Sequence, residues 1–157
     1  MLIDRIGSVL AKDLDRASKA HAIAELICTQ GGYRGAGLYD VDIQRGVVSN
    51  ISWYGAGPPA YLTFPVTRGL TSRAIAERKT INVGDVTRDP DYLTALGTTR
   101  SEIIIPVLDA TGDRVLGTID AESDRPHAFN VEAEVELEKC AVVIRGLWSN
   151  PLAQQAT

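Results

Sequence analysis

The chain of 157 residues, 45% hydrophobic and 23% charged, has the balance of one globular domain with its own core, which excludes a disordered tail or a fibre. Its net charge is −4, and the scattered Arg68, Arg73, Arg78 and Lys79 do not form a patch able to neutralise a row of phosphates, so nucleic acid is not an expected partner. No apolar run approaches the roughly 20 residues a bilayer span needs, and the opening MLIDRIGSVLAKDLDR is broken by acids, so the expected protein is cytoplasmic, with no signal peptide and no membrane association.

Ile3, Ile6, Val9, Leu10 and Leu14 recur at helical spacing, and Ala20, Ile23, Ala24, Leu26 and Ile27 continue the period to Gln30. This predicts one long helix, or two joined near Asp15, ended by Gly31 and Gly32. Residues 34–41 and 47–53 read as a hairpin about the turn at 42–46, with Val47, Ile51 and Trp53 on one strand face. GAGPPAYLTFP contains adjacent prolines and reads as a loop, with room for an edge strand at 61–64. Thr71 is the candidate cap of a short helix in SRAIAERK, and residues 80–83 follow as a strand. Residues 84–99 read as a long loop, of the kind that usually carries function. IIIPVL and VLGTIDA make a second hairpin around DATGD, buried on both faces. Asn130 caps a final helix whose predicted apolar face is Val131, Ala133, Val135, Leu137, Ala141, Val142 and Ile144.

This order predicts an α+β domain over residues 1–150: an antiparallel sheet of about six strands, with the terminal helices packed on one face. The tail 151–157 is expected to fray. Cys28 and Cys140 stand in helical apolar patterns and read as buried thiols, the alternative being a redox pair. His21 and His127 have no neighbours at metal-ligand spacing, so no metal and no cofactor are expected.

The order of elements, with the strings FPVTRGLTSRAIAERKTINVGDV, SEIIIPV and LGTIDAES and Phe129 opening the last helix, resembles the GAF family from about Ile3 to Trp148. That resemblance implies a GAF-like fold and a small-molecule sensor. Within the family, Ser-Glu-Ile before one strand and the Gly-x-x-Asp-x-acid-Ser string after it are similar to the free methionine-(R)-sulfoxide reductases. Those enzymes act through cysteines at three positions, where this chain has Tyr61, Thr71 and Ala95. Sulfoxide reduction of that kind needs an attacking thiolate and a resolving thiol, so the resemblance without them implies a non-catalytic domain. It further implies that Glu102, Asp120 and Glu122 stand at the acidic positions that hold the ligand's amine and sulfoxide oxygen, Glu122 replacing an aspartate.

The candidate ligand-binding set is therefore Glu102, Asp120, Glu122, Tyr61, Thr71, Tyr92, Arg68 and Ala95, with no catalytic residue. Plainer readings stand beside it. The acids could be strand-end charges bridged to Arg68 or Arg100, Arg68 could pair with Asp85 while Gly69 supplies a positive φ, and Trp53, which with Tyr54 could line the pocket as a wall, could instead be core. The expected function is a sensor of a small polar metabolite. The alternatives are a reductase using Cys28 and Cys140, and a dimerisation module. A homodimer is expected through the helices at 2–30 and 131–148, with Ile3, Ile6, Leu10 and Leu14 as surplus apolar surface.

Overall fold

The computed structural model describes residues 1–59, 61–93 and 97–148. The first helical pattern divides in two, α1 (Leu2–Leu10) and α2 (Arg16–Gly31). The break falls at Asp15, whose extended backbone and side chain, accepting from the Ser18 amide at 2.7 Å, start α2 afresh. Next come β1 (Gly35–Asp42), β2 (Val47–Gly55), β3 (Thr63–Pro65), α3 (Gly69–Glu77) and β4 (Ile81–Val83). Among the described residues, a 3-10 turn at Val86–Arg88 is the regular part of the long loop. The chain continues through β5 (Ser101–Leu108), β6 (Val115–Ser123) and α4 (Val131–Val143), which tightens into a 3-10 turn at Ile144–Trp148. Asn130 caps α4 by accepting from the Ala133 amide at 2.9 Å. The expected frayed tail, 151–157, lies outside the described residues.

The six strands form one antiparallel sheet in the order β3-β2-β1-β6-β5-β4. Strand alternation gives the sheet two different faces. Ala36, Leu38, Ile103, Ile105, Val107, Ile119 and Ala121 share one core with Leu2, Ile6, Val9, Ile23, Ile27, Leu137, Cys140 and Ile144 of the terminal helices. On the other face Ile104 meets Leu70 and Ala74, which seat α3, with Ile81, Val83 and Tyr92 at the margin. The architecture is α+β, with the terminal helices together on one face.

Four local readings are corrected. The β1–β2 register shifts between Leu38 and Tyr39, leaving Ile51 as the extra residue of a bulge. Ile51 therefore packs on the helix side while Trp53 faces the opposite side, and Val48 rather than Val47 is fully buried. Thr71 is not a cap: α3 begins two residues earlier, with Arg68 at the cap position, and Thr71 is buried within the helix. Gly69 has φ +75°, a conformation glycine adopts without penalty.

The α4 face is also rotated from expectation. Leu137, Cys140 and Ala141 are buried, whereas Val131 and Val142 are 75% and 58% exposed. Finally, Ile6 is wholly buried within this chain's own core and so is not surplus surface, whereas Ile3 and Leu10 are partly buried against that core and Leu14 is exposed. The helix pattern identified an apolar stripe correctly but not which neighbour covers it.

The end of the α4 segment is fastened to the sheet. Asp40 accepts from Arg16 Nη1 at 2.9 Å and from the Trp148 indole at 2.8 Å, while Arg16 Nε donates to the Leu147 carbonyl. The guanidinium also lies 5.4 Å from the Trp148 ring centroid.

Candidate ligand-binding site

The face opposite the terminal helices carries a small pocket of about 40 Å³, partly open to solvent. Its floor follows from strand register. Glu102 on β5 stands directly across from Glu122 on β6, and Asp120, two residues before Glu122, opens to the same side. Across the other edge of β6, Gly35 and Gly37 of β1 face Glu122 and Asp120, and Tyr39 follows in the same period. A Cβ at either glycine would fall on the Trp53 ring. The two glycines therefore let the indole lie close over β1, beside the acids. Its Nε1 donates to the Gly57 carbonyl at 2.8 Å, holding the following loop over the pocket. Pro59, Tyr61, Phe64, Leu93 and the first turn of α3, Gly69 to Thr71, complete the wall.

The three carboxyls are 8%, 6% and 1% exposed for Glu102, Asp120 and Glu122, and no ion pair reaches them among the described residues. Asp120 accepts from the Thr118 hydroxyl at 2.7 Å. The Tyr92 hydroxyl lies 3.5 Å from Glu122 Oε1, and Glu122 Oε2, fully buried, has no hydrogen-bond partner among the described residues. Burial pushes Asp120 up to about 7, with the Thr118 bond opposing. Glu122 rises to about 8, first through burial and then through the charge of Asp120. Glu102 stands well above the usual carboxylate range, through burial and then Glu122, Asp120 and Asp89. The same burial and the same three acids raise the Tyr39 phenol. Three acids sharing a desolvated pocket hold protons near neutral pH, and a cation entering the pocket would stabilise them as anions.

Of the expected set, the fold brings together Glu102, Asp120, Glu122, Tyr61 and Thr71 as pocket lining, with Tyr92 beside Glu122. Arg68 is exposed at the α3 cap position and does not line the pocket, since the backbone turns inward only at Gly69. Ala95 lies outside the described residues. The plainer readings of the charges also change: neither Arg68 nor Arg100 bridges the acids, and Asp85 pairs with Arg88. Trp53 is pocket wall rather than helix-side core. Tyr39, Phe64 and Leu93 were missed. Tyr39 had a signal in the Gly-x-Gly-x-Tyr alternation of β1, which places two gaps and a ring on one face; Phe64 reaches the pocket from the edge strand β3, and Leu93 from the loop before β5.

Both thiols are elsewhere. Cys28 and Cys140 are free and buried in the core between the sheet and the terminal helices. Burial raises the Cys28 thiol, and burial with Glu136 pushes Cys140 up to about 12. Neither is a thiolate at neutral pH. Among the described residues no cluster of His, Cys, Asp and Glu has the geometry to hold a metal ion, and no helix is long and apolar enough to cross a membrane.

Comparison with known proteins agrees with this fold. The structure is similar to a free methionine-R-sulfoxide reductase from Neisseria meningitidis, solved with its substrate, at TM-score 0.84 and 26% identity over 99% of this chain and 90% of that one. It is similar to the GAF domain of a phosphoenolpyruvate-protein phosphotransferase from Coxiella burnetii at TM-score 0.85 and 16% identity, covering 99% of this chain and 95% of that chain, a likeness of fold alone. In sequence it is 23% identical over 129 residues to GAF domain-containing protein A of Dictyostelium discoideum, covering 82% of this chain and 78% of that protein. The GAF domain model matches residues 15–144. With that match spanning both hairpins, α3 and all of α4, the chain belongs to the GAF domain family.

Proposed function

We propose that this domain is a non-catalytic, cytoplasmic sensor that binds a small, positively charged metabolite. The observation that carries the reading is the set Glu102, Asp120 and Glu122, buried in one pocket without a basic partner among the described residues. Uncompensated buried acids are costly to stability, and a site for a cationic ligand gives that cost a use. The aromatic wall of Tyr39, Trp53, Tyr61 and Phe64 suits the same ligand, since ring faces attract cations. The lining contains no thiol, which argues against the reductase chemistry of the Neisseria enzyme.

The test is thermal stabilisation by a panel of amines, amino acids, methionine sulfoxide and nucleotides at millimolar concentration. A binder present at 100 times its Kd adds about 2.7 kcal/mol. No stabilisation by any cationic compound would end the sensor reading. Turnover of free methionine-(R)-sulfoxide with a thiol reductant, lost in Cys140→Ser, would replace it by the reductase reading.

A homodimer remains part of this proposal, on a revised surface. Met1, Ile3, Val131 and Val135 line a groove between α1 and α4 flanked by Glu132, Glu136 and Lys139, whose mixed charges allow a two-fold copy to pair Lys139 with an acid across the axis. Val131→Glu with Val135→Glu should then give a folded monomer by light scattering, and a wild-type monomer at micromolar concentration would remove the dimer.

A further inference from the structure

Resting on the reading above, we infer that the pocket selects amines that carry no carboxylate, so that the decarboxylated form of an amino acid is preferred to the amino acid itself. An amino acid brings a full negative charge with its ammonium group. A built α-amino-acid site matches that charge with an arginine, a lysine or an equivalent cation, because a carboxylate moved out of water without one is costly.

Here the lining offers three acids, four aromatic rings and apolar or small residues, and no basic side chain. None of the residues outside the described ones is basic. Arg73, on the flanking helix α3, is held by Asp89 at 2.6 Å and by Asp91 at 3.5 Å. Arg68 is exposed at the cap position of the same helix. The positive feature left on the lining is the start of α3 at Gly69 to Thr71, equivalent to about half an elementary charge. Against it stand Glu102, Asp120 and Glu122, each of which loses stabilisation when a further anion enters.

Hydrogen-bond capacity points the same way. Glu122 Oε2 is a buried acceptor without a described partner, and the Thr118 hydroxyl is engaged by Asp120. Once ionised by an entering cation, the acid floor offers acceptors alone, to which a primary ammonium or a guanidinium donates. With three acids available, a second positive charge on the ligand can draw out a second carboxylate. Linear diamines and guanidino-amines are the class that fits, their methylene chains lying along Trp53 and Phe64.

Matched pairs decide the question: agmatine against arginine, cadaverine against lysine, and 3-(methylthio)propylamine against methionine, by isothermal titration calorimetry on the wild-type chain. The amine should bind at least about tenfold more tightly than its parent in each pair. Tyr61→Arg, at a lining position 46% exposed, adds the missing cation and should narrow or reverse that preference without unfolding the domain. Parent amino acids binding as tightly as the amines, or a preference untouched by Tyr61→Arg, would overturn the inference while leaving a cation sensor in place. Binding by neither member of any pair would overturn both.

Discussion

Replacing Asp120 by Asn should make the empty domain more stable at pH 8 while weakening its ligand site. Asp120 rises from 3.8 to about 7 because burial penalises its charged form. At about 1.36 kcal/mol per unit, this corresponds to about 4 kcal/mol of stability lost on ionisation, an order-of-magnitude figure. The sign follows from proton binding. The folded state keeps this proton where the unfolded state has already lost it, so stability is fully present below about pH 4 and declines as pH rises through about 7. The introduced carboxamide stays neutral and its oxygen can still accept from Thr118, so that decline disappears from the variant. Urea unfolding at pH 5, 6, 7 and 8 measures it. Wild type should lose stability across the series, and the variant should lose less by about 2–3 kcal/mol, the share of the decline that falls above pH 5, and be the more stable protein at pH 8. Wild-type stability rising from pH 5 to 8, or an equal slope in the variant, would refute the buried-acid reasoning.

Binding of an amine at pH 6.5 should release protons, because the cation favours the ionised acids; calorimetry in two buffers of different ionisation enthalpy reads the number, and affinity should climb as pH rises through the range of Asp120 and Glu122. Gly37→Ala places a Cβ against the Trp53 ring, so it should shift the indole fluorescence and destabilise the fold by about 1–3 kcal/mol. Ile6→Glu should unfold the chain rather than dissociate a dimer, since Ile6 is wholly buried, and circular dichroism distinguishes the two outcomes. Asp40→Ala should cost about 2–3 kcal/mol by releasing both Arg16 and Trp148, with a red shift of Trp148 emission in a Trp53→Phe background.

The sequence alone determined the order of elements, the cap at Asn130, the two hairpins and the acids Glu102, Asp120 and Glu122, because each rests on local chemistry or on a string of matched residues, whereas the cap at Asp15 appeared only in the structure. Period-two alternation was enough to set Asp120 and Glu122 on one face. Only the tertiary structure decided what that face meets. The Ile51 bulge reversed the sides expected for β2 and delivered Trp53 to the pocket, and the rotation of α4 left Val131 and Val142 outside. Arg68 lost its expected place through one turn of backbone at Gly69, and Ile6 proved to be core because α1 packs against α2 and α4. Periodicity reports that a stripe is apolar or a face is charged. Which neighbour covers it is set by crossing angles, bulges and loop paths, which depend on contacts between residues far apart in the chain.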